Sequence, residues 1–212
     1  MRPSNTVVLK TKNGAGIALI AYLLFSFGFL GLQAEEESLP DLISNTRTTI
    51  EDVDGKLRNP FQVENAKASV LIFVTHDCPI SNAYSPELSR LRNDYEAKGF
   101  DMMLIYVDPD VDEAGIRAHM KDYKLTGYTA IADKTHRLVR AAGATITPEV
   151  AVVLPDGSIS YRGRIDNMYP ALGQRRRVIT EKDLRNALDA IYQNKPVEVS
   201  RTQAVGCYVP NL

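Results

Sequence analysis

Val70-Leu71-Ile72-Phe73-Val74-Thr75-His76-Asp77-Cys78-Pro79-Ile80-Ser81 is the stretch on which the reading of this chain turns. Five apolar residues in a row suit a strand covered on both faces rather than one that alternates between core and water. Helical sequence follows, so Cys78 stands where a buried strand passes into a helix. A thiol at that junction meets unpaired backbone N–H groups and the positive end of the helix dipole. Both favour thiolate over thiol, and the thiolate is the nucleophile. Position alone therefore marks Cys78 as a candidate reactive centre.

The same logic extends outward. Met102 to Val107 is a second continuous apolar run. Leu88, Leu91 and Tyr95 share one helical face, which Gly99 ends, and Ser85-Pro86 either caps or kinks that helix. Ile116, His119, Met120 and Tyr123 mark another amphipathic helix. Leu184, Leu188 and Ile191 mark the last, with Thr180 and Asp183 spaced as a capping pair. Asp54-Gly55 turns a hairpin over Thr48 to Lys56. Pro155-Asp156-Gly157 joins strands Val150 to Leu154 and Ser158 to Arg162 in a second hairpin. Buried strands alternating with helices predict an α/β domain, a central mixed sheet with helices on both faces.

The chain has 212 residues, of which 44% are hydrophobic and 24% charged, an ordinary globular composition. Its formal net charge of −1 offers no electrostatic case for a nucleic-acid partner. Arg175-Arg176-Arg177 reads as a solvated loop. Arg2, Lys10 and Lys12 precede an uncharged stretch from Ala15 to Leu32, and Leu32-Gln33-Ala34 resembles a cleavage site. Residues 1–34 are thus expected to be a signal peptide or an N-terminal membrane anchor, the only contact with a membrane. Residues 35–45 form a linker, 46–195 the domain, and 196–212 a tail carrying Cys207. Both alternatives export the domain to an oxidising, periplasmic or otherwise extracytoplasmic space.

Two cysteines, Cys78 and Cys207, occur in the chain. In an oxidising compartment an even pair reads first as a structural disulfide. The residues beyond Pro196, at roughly 3.3 Å each, can reach Cys78 from any surface position. A permanent staple and a redox couple both stay open.

Cys78 after the first buried strand, Thr147-Pro148 before the strand at Val150, and the Pro155-Asp156-Gly157 hairpin together resemble the thioredoxin-like superfamily. More narrowly they are similar to the redoxin group that includes alkyl hydroperoxide reductase and thiol-specific antioxidant proteins. The resemblance runs from Thr48 to Ala190. Cys-Pro-Ile-Ser-Asn, Thr-Pro-Glu, Tyr-Arg-Gly-Arg-Ile-Asp and the terminal Val-Gly-Cys-Tyr are similar to exported bacterial redoxin-domain proteins. The resemblance implies a cis bond before Pro148, facing Cys78. It implies a role for Thr75, which stands where the family's peroxidases keep a threonine. Departures are as informative. Ser81 occupies the place of the usual second cysteine, Leu71 replaces a peroxidase proline, and no arginine stands near Pro148-Glu149. Arg162 or Arg164 is a candidate substitute for that arginine, though each reads first as an exposed strand-end residue.

The expectation is an exported thiol–disulfide oxidoreductase, with peroxidase activity disfavoured and no cofactor. Cys78 is the nucleophile and Cys207 the candidate resolving cysteine. Partners are thiol or disulfide proteins or a small oxidant, with an exported electron donor. A second reading is a copper-holding protein using Cys78, Cys207 and His76, since copper(I) accepts thiolate and imidazole. A third is a non-catalytic module stapled by its cysteines. His119 and His136 are expected on helices as surface or satisfied core residues.

Overall fold

A computed structural model describes residues 49–210 of the chain. The expected export segment, the linker and the first residues of the domain lie outside the described residues. Among the described residues no helix is long and apolar enough to cross a membrane.

The two apolar runs form the centre of the sheet. Strand β3 (Ala68–Val74) is buried at every position, and β4 (Phe100–Tyr106) at all but Asp101. They pair in parallel from Ala68↔Phe100 to Val74↔Tyr106. β5 (Thr129–Ala132) adds to the free edge of β4 in parallel. On the other side β7 (Glu149–Val153) runs antiparallel to β3, and β8 (Ile159–Gly163) antiparallel to β7. The order β5-β4-β3-β7-β8 is the mixed sheet that the sequence predicts. A separate hairpin, β1 (Ile50–Glu51) and β2 (Leu57–Arg58), closes around Asp54-Gly55.

Period-two alternation sends successive residues of each central strand to opposite faces, and each face has its own core. Val70, Ile72, Val74, Leu104 and Val152 pack with Leu88, Leu91 and Tyr95 of α2 (Ser85–Tyr95), Ile116 and Met120 of α3 (Glu113–Asp122), and Leu184 and Leu188 of α5 (Asp183–Tyr192). Leu71, Phe73, Ile105 and Ala151 pack with Leu138, Val139 and Ala142 of α4 (Arg137–Ala142), and with Val209 of the tail. Helices therefore cover both faces.

Cys78 ends the turn after β3 as the N-cap of a one-turn helix, α1 (Pro79–Ala83). Tyr84 separates α1 from α2, and Pro86, which lacks an N–H, stands in the first turn of α2 where none is needed. The helix after Gly173 differs from expectation. Lys182 rather than Thr180 is the N-cap of α5, because Thr180 is drawn to Asn167: its hydroxyl accepts from the Asn167 amide at 2.7 Å. His136 is not on a helix but precedes α4 in a left-handed conformation, its ring bonded to the Val107 carbonyl at 2.9 Å. Arg175, Arg176 and Arg177 are exposed.

The tail lies back on the domain. Arg162 N–H donates to the Ser200 carbonyl and Thr202 N–H to the Arg162 carbonyl, so the tail first follows β8. It ends in β9 (Cys207–Tyr208), which pairs antiparallel with β6 (Ile146–Thr147). Of the tail's apolar residues Val209 is buried, whereas Tyr208 is 81% exposed.

Candidate functional site

Register explains why the site sits where it does. Phe73 pairs with Glu149, so the start of β7 lies at the end of β3 that leads to Cys78. The turn just before Glu149 contains a cis bond between Thr147 and Pro148. The β6–β9 ladder then sets Cys207 opposite Thr147. Three segments far apart in sequence thus meet at one point, and the sulfurs of Cys78 and Cys207 lie 2.7 Å apart as free thiols.

Cys78 is almost fully enclosed, 1% exposed. Its thiol faces the Thr147 carbonyl at 3.4 Å, and its sulfur accepts from the Ser81 backbone N–H at 3.5 Å. Burial pushes this thiol up, but the hydrogen bonds from the Cys207 thiol and the Ser81 N–H outweigh it, and the net shift is downward. Cys207 moves the other way. Burial, its hydrogen bond to Cys78 and the charges of Cys78 and Asp77 push it up to about 12. The pair is thus polarised, with Cys78 the more acidic of the two thiols. Ser81, within α1, also places its buried hydroxyl beside the Cys78 sulfur, a further contribution to the lowering of that thiol.

Thr75 is buried, and its hydroxyl lies 3.5 Å from that of Thr147. Thr147 also donates to the Cys207 carbonyl at 3.4 Å. Sequence reasoning used Thr147 only as the residue before Pro148, yet it touches both cysteines. Nothing local in the sequence signals this, because the contacts arise from strand pairing.

The turn that presents Cys78 is held by a hydrogen-bonded chain. His76 reaches Asp108 through its ring Nδ1 at 2.8 Å and its backbone N–H at 3.2 Å. The Asn82 amide donates to the His76 carbonyl at 2.9 Å, and its Oδ1 accepts from His119 Nε2 at 2.8 Å. That fixes the tautomer: the other ring nitrogen must accept, and the Tyr106 hydroxyl donates to it at 2.8 Å. His76 is therefore drawn to Asp108. Among the described residues the group whose ligand atoms lie within 4.8 Å of one another is His76, Asp77 and Asp108, without either cysteine. The set Cys78, Cys207 and His76 is not assembled here.

His119 is buried, and burial lowers its pKa below the ordinary 6.5, with His76 adding to the effect and Asp108 and Asp122 opposing it. A second proton would turn its accepting nitrogen into a donor facing Tyr106. Below about 6.5 the unfolded chain takes up that proton before the folded one, so stability falls as pH drops toward the folded value. His119→Gln should remove this component from urea midpoints measured across that window. An equal acid loss in the variant would assign the effect elsewhere.

Comparison with known proteins adds the lineage. A family model described as Redoxin matches residues 34–173. The chain belongs to the Redoxin family. A conserved protein of Geobacillus kaustophilus is similar over 77% of this chain and 89% of its own, at 25% identity and a TM-score of 0.66. A hypothetical protein of Sinorhizobium meliloti shares 24% identity over 76% of this chain and 88% of its own, with a TM-score of 0.64. A secreted disulfide oxidoreductase of Mycobacterium tuberculosis, homologous to E. coli DsbE, shares the fold at 16% identity, over 69% of this chain and 98% of its own, with a TM-score of 0.51. No curated protein matches the chain. The fold is thus thioredoxin-like. The family match stops well before Cys207, so the sulfur that meets Cys78 comes from outside the matched region of this redoxin chain.

The two arginines have other work than that of exposed strand ends. Arg162 lies 3.6 Å from the buried Glu149 carboxylate and donates to the Ala142 carbonyl at 2.9 Å. Glu149 in turn accepts from the Thr145 N–H at 2.8 Å, which shapes the turn before Pro148. Arg164 pairs with Asp183 at 2.8 Å and with Glu181. Both are half-buried structural cations.

Gly206 is what lets the tail come this close. A Cβ at that position would lie 1.9 Å from the Thr147 carbonyl oxygen, so any side chain must push β9 off β6. Overpacking of this kind costs about 1–3 kcal/mol. Gly206→Ala should slow closure of the sulfur pair by about tenfold or more, read as the rate at which two thiols disappear under mild oxidant. An unchanged rate would show that the tail does not need this contact.

Proposed function

We propose that this chain is an exported thiol–disulfide oxidoreductase in which Cys78 and Cys207 form the redox couple. The observation that carries the reading is the 2.7 Å contact between two free cysteines, one at a helix start and one on a strand paired beside the cis bond. Cys78, the more acidic thiol, reacts with the oxidant. The Cys207 thiolate then attacks the Cys78 sulfur, the Cys78–Cys207 bond forms, and the group acquired by Cys78 leaves with its electron pair. An external dithiol returns two electrons and two protons, and the chain is reduced again. A serine at position 81 cannot close a disulfide, so the tail supplies the partner.

Support for export comes from the uncharged stretch Ala15 to Leu32 behind a basic leader. The fold is shared with a secreted disulfide oxidoreductase. The substrate class is a protein dithiol or disulfide, or a small oxidant. The test is intact-mass analysis of the full chain after mild oxidation and after incubation with a reduced thioredoxin. Loss of two hydrogens within one chain, restored by the donor, is the expected outcome. Two free thiols after oxidation, or a bond only between chains, would falsify the couple. A bond that forms and resists the donor would leave a structural staple.

A further inference from the structure

We propose that Cys207, not Cys78, is the sulfur through which this chain exchanges with its external dithiol. The inference rests on the redox couple proposed above, and it reverses the roles that a strand-to-helix cysteine suggests.

The argument begins with access. Thiol–disulfide exchange depends on which sulfur the incoming thiolate can reach, and on how readily the other sulfur leaves. Cys78 is 1% exposed, and its sulfur is bounded by the Ser81 N–H, the Thr147 carbonyl and the Cys207 sulfur. The tail that bears Cys207 closes the remaining side. Its placement depends on backbone pairing to β6, on the Val209 N–H bond to the Thr145 carbonyl at 3.0 Å and on burial of Val209. None of these contacts involves sulfur, so joining the sulfurs leaves them in place. With the tail docked, an incoming protein thiol meets the more exposed Cys207 before Cys78.

Cys207 is half-buried, and its neighbour Tyr208 projects into solvent. Among the described residues β9 pairs in a strand ladder with β6 alone. The exposed Tyr208 ring offers an incoming partner an aromatic contact immediately beside the sulfur.

The leaving group points the same way. Attack on Cys207 expels Cys78, which the Ser81 N–H stabilises as a thiolate. Attack on Cys78 would expel Cys207, whose thiolate burial disfavours, with the nearby Asp77 charge adding to the effect. The lower-pKa sulfur leaves faster.

The step balances as follows. A thiolate of the external dithiol attacks the Cys207 sulfur, forming a donor–Cys207 bond while the Cys78–Cys207 bond breaks. The electron pair of the broken bond stays on Cys78. The second donor thiolate attacks the donor sulfur in the mixed disulfide and expels Cys207, which takes a proton from water. Cys78 likewise takes up a proton from water, the donor leaves as a disulfide, two electrons and two protons poorer, and the chain holds two thiols.

The test uses the full chain, oxidised and freed of reagent. It is reacted with a thioredoxin whose resolving cysteine has been replaced by serine, and in parallel with glutathione. Reactions are quenched in acid, remaining thiols are alkylated, and peptides are mapped by mass spectrometry. The donor should be found on the Cys207 peptide, at least about tenfold over the Cys78 peptide, with Cys78 alkylated. A donor carried mainly by Cys78 overturns the inference and leaves the couple standing. A bond that neither donor opens overturns the inference too. An oxidised chain in which intact mass shows no Cys78–Cys207 bond overturns the couple itself.

Discussion

Replacing Cys78 by alanine is expected to reduce exchange between this chain and external thiols to background. Cys78 is the one cysteine placed at a helix start, and without it Cys207 has no partner with which to close a bond within the chain. Cys207→Ala separates the two roles. It removes the resolving sulfur, and turnover should fall to background as well. It also removes a hydrogen bond to the Cys78 sulfur, so Cys78 should titrate higher, toward the value of about 8.5 of a free thiol. Thiolate ultraviolet absorbance followed across pH reads the shift without requiring a reagent to enter the buried site. An unchanged Cys78 titration in Cys207→Ala would show that the tail does not tune it.

The second large effect is on stability. Phe73 is wholly buried in β3, between Met103, Ile105 and the α4 side chains of its core. Truncation to alanine leaves a cavity under the strand that carries the site, at a cost of about 3–5 kcal/mol. Against a typical total of about 5–15 kcal/mol this is a large share. A lowered urea midpoint with an unchanged slope would be the signature. A loss under about 1 kcal/mol would mean that the surrounding side chains collapse into the space.

The central strands were legible because Val70 to Val74 and Met102 to Val107 are long, continuous and apolar. β5 was not, since Thr129-Ala130-Ile131-Ala132 is short and half alanine, and α4 spans only six residues. β9 has two residues and no pattern, yet it delivers Cys207 to the site. Its approach could be argued only from reach and from the want of another cysteine. The network through Asn82, His119 and Tyr106 had no signature at all. Each residue is unremarkable locally, and 37 positions separate Asn82 from His119. Thr180 shows the opposite failure, a good capping signal overruled by Asn167.

The distance between the cysteines along the chain carries a further consequence. They lie 129 positions apart, so the contact made by β9 spans most of the domain. Joining the sulfurs would close a loop of that size in the denatured ensemble, and on a chain-entropy account this disfavours unfolding by about 5 kcal/mol. Electron transfer would then also be a durability switch. The reduced chain would visit open, protease-sensitive states far more often than the oxidised one, and its lifetime would report how much oxidant it had met.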